Sequence, residues 1–252
     1  DLEVGNWPGV TVEKKEAKFT YRKEKVTLLD LPGTYTLSPY SLEEKVTRDI
    51  LAEGKFDGII NVIDTTNLRR NLYLTLELVD MQQPIVIALN MFDDFKKRGY
   101  ELDVNALQDI FGISVVPTIA SKGLGTEKLI DAAVSAVQGN RLPHIQLYQE
   151  HIEKEIAFLV HRMTDIHLPP RLFAMQLLAN DSYAVSFAEK LQNDMLIEKA
   201  AQARARLEAH MKLPALCIST MAAIREELGT HWMLLEIVLL PLVAYTVSVL
   251  IY

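Results

Sequence analysis

From Lys25 to about Gln138, short apolar runs that end in polar or charged residues alternate with amphipathic stretches, and this rhythm constrains the fold more than any other feature. Apolar runs of five to seven residues suit strands buried on both faces, whereas the intervening stretches carry a helical period. Such alternation predicts an α/β domain with a mostly parallel sheet covered by helices. The strands read as residues 26–30, 58–64, 85–90 and 115–119, with helices near 42–52, 68–81, 104–111 and 127–137. Residues 17–21 alternate in polarity just before the first of these strands, which predicts an antiparallel pairing at the sheet edge. Polar residues follow almost every strand, at the carboxyl edge where an open α/β sheet places its ligand.

Gly139, Asn140 and Pro143 break the pattern, and helix formers dominate beyond them. Ile152, Ile156, Leu159, Val160 and Met163 recur at helical spacing, Pro169 and Pro170 interrupt, Leu172, Met175 and Leu178 resume, and a third helix runs over about 195–210. Three helices with apolar stripes predict a small bundle. The expected division is therefore 1–138 for the α/β domain, 139–212 for the helical one and 213–252 for a C-terminal part. The histidines at 144, 151, 161, 167, 210 and 231 share no metal-ligand spacing on one helix face and read as structural or solvated.

Residues 232–252 are 21 residues with one charge, Glu236, and one proline, Pro241, long enough for a transmembrane helix. Trp232 and Tyr252 at its ends suit the two interfaces, and Glu236 lies one turn from its start, where an acid is less costly than at mid-membrane. A buried helix of a soluble protein is the other reading. Residues 213–224 are apolar but too short to span, and they follow a charged helix without a linker. The expectation is that segments not adjacent in the native chain are joined here, with membrane-embedded material missing after about Lys212.

Charge excludes one class of partner. Lys and Arg total 26 against 33 Asp and Glu, a net charge of -7 with a pI near 5.4, and such a chain repels phosphate backbones, so no nucleic acid is expected. A lone cysteine, Cys217, excludes an internal disulfide or a Cys-cluster zinc site.

Chemistry concentrates at strand ends. Asp30-Leu31-Pro32-Gly33 fits the Asp-x-x-Gly element of nucleotide hydrolases, whose carboxylate holds Mg²⁺ through water and whose glycine N–H approaches a γ-phosphate. Alone it is equally a strand end followed by a Pro-Gly turn. Asn90-Met91-Phe92-Asp93, 60 residues on, fits the guanine-reading Asn-x-x-Asp, in which the aspartate accepts from guanine N1–H and the exocyclic amine. Two such motifs in this order, separated by two β-α units, are far harder to obtain by chance. After a third strand, Thr118-Ile119-Ala120 stands where GTPases carry a Ser-Ala pair. Ile119 replaces the serine, leaving the Ala120 N–H as the candidate contact to guanine O6.

The segment Gly5-Asn6-Trp7-Pro8-Gly9-Val10-Thr11-Val12-Glu13 resembles the switch I region of FeoB-type ferrous iron transporters nearly residue for residue. Asp30 to Tyr35 with Leu37 to Ser41 resembles that family's switch II, and Asn90 to Asp93 its guanine element. The resemblance is strong over the first 138 residues and rests on position and composition over 141–212. It implies a Ras-like P-loop GTPase domain, a helical spacer and a membrane domain that moves Fe²⁺ across a bacterial inner membrane, with the first two in the cytoplasm. It further implies GTP/GDP and Mg²⁺ as ligands, with Thr11 and Asp30 toward Mg²⁺, Thr11, Gly33 and Thr34 at the γ-phosphate, and residues 9–13 around the phosphates. Small cytosolic Feo accessory proteins and a homo-oligomer are the implied partners. Cys217, in a stretch similar to the family's C-terminal membrane region, is either a soft ligand on an iron path or an inert buried thiol. Leu216 stands there in place of the family's proline.

Two departures bear on activity. No Gly-x-x-x-x-Gly-Lys-Ser/Thr string occurs in the sequence, and the expectation is that the first strand and P-loop precede Asp1. Thr34 follows Gly33 where Ras-like proteins place a water-orienting glutamine, which predicts slow hydrolysis. Rival readings are a soluble regulatory GTPase and a degenerate guanine-binding scaffold.

Overall fold

The computed structural model describes residues 2–6, 13–37, 42–144, 148–163, 166 and 168–211. The chain divides into two compact units, Asp1–Phe56 and Asp57–Tyr252.

In the first unit, β1 (Leu2–Asn6), β2 (Glu13–Tyr21) and β3 (Glu24–Asp30) form an antiparallel sheet in that order. Arg22 and Lys23, at φ 47° and 75°, make the two-residue turn between β2 and β3, and positive φ at both central positions matches the right-handed twist of the flanking strands. The antiparallel edge pairing expected for 17–21 is present, with Phe19 opposite Val26 and Lys15 opposite Asp30. The strand β1 has no counterpart in the sequence reading, because Leu2 and Val4 alone are too short an alternation to announce it. The helix α1 (Leu42–Glu53) follows, and Thr47 Oγ1 donates to the Pro32 carbonyl at 2.8 Å, tying the segment after β3 to it.

The second unit opens with β4 (Ile59–Asp64), α2 (Leu68–Asp80), β5 (Ile85–Asn90), α3 (Phe92–Lys97), α4 (Val104–Phe111), β6 (Ser114–Pro117) and α5 (Thr126–Gln138). The strands are parallel in the order β4-β5-β6, with Asp64 level with Asn90. All residues of β5 before Asn90 are buried, as a central strand covered on both faces requires. Sequence alone implied one mostly parallel sheet with an antiparallel edge. The described strands instead form two three-stranded sheets, one antiparallel and one parallel. Asp103 caps α4 by accepting from Ala106 N–H at 3.0 Å, and Gly112 ends it at φ 67°.

Among the described residues four helices follow: α6 (Glu150–Val160), α7 (Pro170–Leu178), α8 (Ser182–Lys190) and α9 (Asp194–Met211). The three-helix expectation missed α8, which Asp181 starts by accepting from Ala184 N–H at 2.9 Å. Pro170 opens α7 at a position where its missing N–H costs nothing. Ile152, Ile156, Leu159, Phe173, Leu177, Leu196 and Ala203 form the core of this bundle. A buried ion cluster joins it to α2. Arg171 Nε donates to Asp80 Oδ1 at 2.6 Å and both terminal nitrogens donate to Glu153 at 2.8 Å, while Tyr148 OH donates to Asp80 Oδ2 at 2.7 Å. Among the described residues no helix is long and apolar enough to cross a membrane. The transmembrane expectation for 213–252, with Cys217, lies outside them.

Candidate guanine-nucleotide site

The residues expected to read a base come together at the carboxyl end of β5. Asn90 ends the strand, and Met91 turns the chain at φ 58° so that α3 begins at Phe92. This left-handed turn is why Asn90 and Asp93, three residues apart, stand on one rim. α3 itself was not anticipated, since six residues with four charges carry no apolar period. Asn90 Oδ1 accepts from the Ala120 N–H at 2.9 Å. Its backbone carbonyl accepts from Thr65 Oγ1 at 2.7 Å, and Thr65, 1% exposed, sits just past β4. The rim is thereby fixed to two neighbouring strand ends. The Ala120 N–H, expected to donate to a base, is directed at Asn90 in this structure.

The loop after β6 is closely specified. Ile119 N–H donates to the Leu124 carbonyl at 2.9 Å, Leu124 N–H returns to the Ile119 carbonyl at 3.2 Å, and Thr118 N–H donates to the Leu89 carbonyl at 2.8 Å. Gly123 and Gly125 adopt φ 65° and 84°, and a Cβ at Gly125 would lie 2.4 Å from the Pro117 carbonyl oxygen. Only glycine fits there. The loop presents Lys122, whose Nζ donates to Asp93 Oδ2 at 2.8 Å, with Lys97 Nζ 3.7 Å from the same oxygen. The hydrogen bond from Lys122, aided by both lysine charges, holds the Asp93 carboxyl below the usual carboxylate range, so it is an acceptor at any physiological pH. Asp64, at the end of β4, accepts from Thr66 N–H at 2.9 Å, Thr66 Oγ1 at 2.7 Å and Asn67 Nδ2 at 2.9 Å. Although burial opposes its charge, these bonds keep its carboxyl low.

In the other unit, Asp30 ends β3, Leu31 and Pro32 follow, and Gly33 has open space where a Cβ would stand. Thr34 Oγ1 donates to the Thr36 carbonyl at 2.5 Å and also lies 3.5 Å from Glu44 Oε1, so its hydroxyl braces the turn. Glu13 opens β2, while Gly9, Val10, Thr11 and Val12 lie outside the described residues. Among the described residues no three His, Cys, Asp or Glu side chains cluster as a metal site. Lys122 and Thr65 were not singled out from sequence. Their signals were available: a lysine two residues past Ala120 in a glycine-closed loop, and a threonine directly after a strand-end aspartate.

A parallel sheet with an Asn-x-x-Asp rim at its carboxyl edge, fastened to an Ala-Ser-Lys loop and followed by a helical bundle, defines a Ras-like GTPase-type α/β domain with an attached helical domain. Comparison with known proteins narrows this. The family model for ferrous iron transport protein B matches residues 1–133, and that for the FeoB cytosolic helical domain matches 148–223, past Lys212. The chain belongs to the FeoB family. It is 41% identical over 206 residues to an Fe(2+) transport protein A/Fe(2+) transporter FeoB fusion protein of Porphyromonas gingivalis, covering 78% of this chain and 24% of that protein. With the Fe(2+) transporter FeoB of Escherichia coli K12 it shares 37% identity over 222 residues, 86% of this chain and 28% of the relative. The chain thus spans about a quarter of the length of the curated relatives it matches. Among solved structures, the cytosolic domain of the T. maritima FeoB iron transporter in a GDP form aligns at TM-score 0.68 and 35% identity, covering 83% of this chain and 89% of that one. A GDP-bound S. thermophilus NFeoB mutant aligns at TM-score 0.72 and 30% identity, covering 94% and 90%.

Proposed function

We propose that this chain is the guanine-nucleotide-binding part of a bacterial Fe²⁺ transporter, a slow GTPase that gates ferrous iron uptake across the inner membrane from the cytoplasmic side. The observation that carries the reading is the Asp93 carboxylate, kept ionised beside Asn90 and facing the Thr118–Leu124 loop. Guanine offers two adjacent donors to such an acceptor, and adenine does not. The GDP-bound relatives agree with this choice.

On the phosphate side, Thr11 and Asp30 supply hard oxygen donors suited to Mg²⁺, which would neutralise charge between phosphates. Gly33 leaves room for close backbone approach, and Thr34 lacks the amide that orients attacking water in faster enzymes. Residues 9–13 and 30–33 would face the phosphates, and Asn90, Met91, Phe92, Asp93, Thr118, Ile119 and Ala120 the base. A phosphate cradle would come from a strand and loop beside β4. In support, β4 pairs only with β5 among the described residues, and Val62 on it is 59% exposed. The two family matches support the division near 139; a membrane part over 213–252 rests on the apolar composition of 232–252, the helical-domain match itself running on to 223. The P. gingivalis fusion protein supports a small Feo accessory protein as partner; a homo-oligomer and an iron path past Cys217 complete the proposal. Calorimetric titration of the full-length protein with GDP and ADP tests it. GDP binding with no heat from ADP is expected, and equal binding of the two overturns the assignment.

A further inference from the structure

The guanine rim is held to the loop after β6 at three points. Two have been described, Asn90 Oδ1 to Ala120 N–H and Asp93 Oδ2 to Lys122 Nζ. The third is Phe92 N–H, which donates to the Thr118 carbonyl at 3.4 Å. Only the lysine contact acts on the carboxylate that reads the base. Asp93 lies in the first turn of α3, a helix of six residues, and its side chain is 21% exposed. Without that contact, a short, partly buried carboxylate on so small a helix keeps only the Asp94 N–H and Lys97 at 3.7 Å, and samples more rotamers. Lys122 stands in a loop whose backbone is closed by the Ile119 and Leu124 pair and by two left-handed glycines, so its anchor is fixed even though its side chain is 56% exposed.

We propose that Lys122 is a positioning residue for base specificity: its ammonium fixes the Asp93 carboxylate in the orientation that accepts both guanine donors. The inference rests on Asp93 reading guanine. Each carboxylate oxygen offers two lone-pair directions, so Oδ2 keeps one for a base while Nζ occupies the other. The two groups therefore cooperate rather than compete. Ile119, at the place where GTPases carry a serine, offers no hydroxyl near Asp93, and Lys122 supplies the polar contact from the same loop. The charged groups around Asp93 are Lys122 from the loop and Lys97 and Asp94 from α3. Lys97 is itself held at 2.9 Å by Asp94 and reaches Asp93 only at 3.7 Å, so it does not replace Lys122.

The first test needs no nucleotide. Carbon-detected NMR of the Asp93 carboxyl across a pH titration should place its midpoint higher in Lys122→Met than in the unsubstituted chain, with Lys122→Arg restoring the low value; equal midpoints overturn the proposal. The second uses GDP and IDP on the full-length protein, because IDP lacks the exocyclic amine and so reports whether both carboxylate oxygens are aligned. An exposed ion pair is worth at most a few-fold, so Lys122→Met should lower the GDP to IDP preference by about 5-fold, with Lys122→Arg restoring most of it. An unchanged ratio, or tighter GDP binding from an unblocked carboxylate, overturns the role given to Lys122. Asp93→Asn on the same preparation keeps the two ideas apart. If it leaves GDP favoured over XDP, the guanine reading has failed; if it reverses that preference while Lys122→Met changes nothing, only the lysine proposal has.

Discussion

Replacing Arg171 with methionine removes the one guanidinium between two carboxylates while keeping most of the side-chain volume. Arg171 holds Asp80 at 2.6 Å and Glu153 at 2.8 Å through two nitrogens, with side-chain exposures of 13%, 2% and 17%. Methionine leaves Asp80 with Tyr148 alone and Glu153 without its fork. Breaking a buried pair on one side costs about 3–5 kcal/mol, because the remaining charge stays desolvated. The cost depends on pH in a direction fixed by Asp80. Burial, partly offset by Arg171 and Tyr148, pushes its carboxyl up from 3.8 to about 6. An acid whose folded value lies above its unfolded one takes up a proton on folding, so this group alone makes the fold more stable as pH falls from about 6 toward 3.8. The whole window corresponds to roughly 3 kcal/mol. At pH 7.5 Asp80 is ionised and needs Arg171; at pH 5 it is largely protonated and needs it less. Urea unfolding followed by circular dichroism should therefore show Arg171→Met losing about 3–5 kcal/mol at pH 7.5 and markedly less at pH 5. A loss under about 1 kcal/mol at pH 7.5, or an equal loss at both values, refutes this account of the cluster.

Two further substitutions probe the scaffold of the candidate base site. Gly125→Ala introduces a Cβ 2.4 Å from the Pro117 carbonyl oxygen at φ 84°, and should cost about 1–3 kcal/mol and shift the amide resonances of 118–124; an unchanged melting temperature contradicts it. Thr65→Val keeps the shape but removes the 2.7 Å bond to the Asn90 carbonyl, and should destabilise by about 1–2 kcal/mol, read as a lower thermal midpoint, whereas Thr65→Ser should be milder.

Much of this was legible in the sequence because burial writes itself there. β5 is an uninterrupted apolar run ending in Asn90, and α4 is bracketed by Asp103 and Gly112; both match their expected bounds. Elements without a periodic apolar face were not legible. α3 is mostly charged and α8, with two buried alanines and no buried large side chain, carries a weak stripe. The Asn-x-x-Asp motif showed as a strand-end signature, but its support did not. Lys122 lies 29 residues from Asp93 and Thr65 lies 25 from Asn90, and the parallel register alone brings them together. The Asp80 cluster draws on residues 68 and 91 positions away, a separation at which no local pattern exists.

The central claim is that Asp93 selects guanine, and the Asp93→Asn substitution addresses it most directly. The amide has lost the charge and one acceptor, so guanine's two donors are no longer matched, while xanthine, with a carbonyl in place of the amine, becomes the better partner. A site built around hydrogen bonds rejects a mismatched base strongly, and competition between GDP and XDP on one preparation of full-length protein should show GDP weakened by about 100-fold or more and XDP strengthened. Misfolding would weaken both. An Asp93→Asn protein that still prefers GDP contradicts the account.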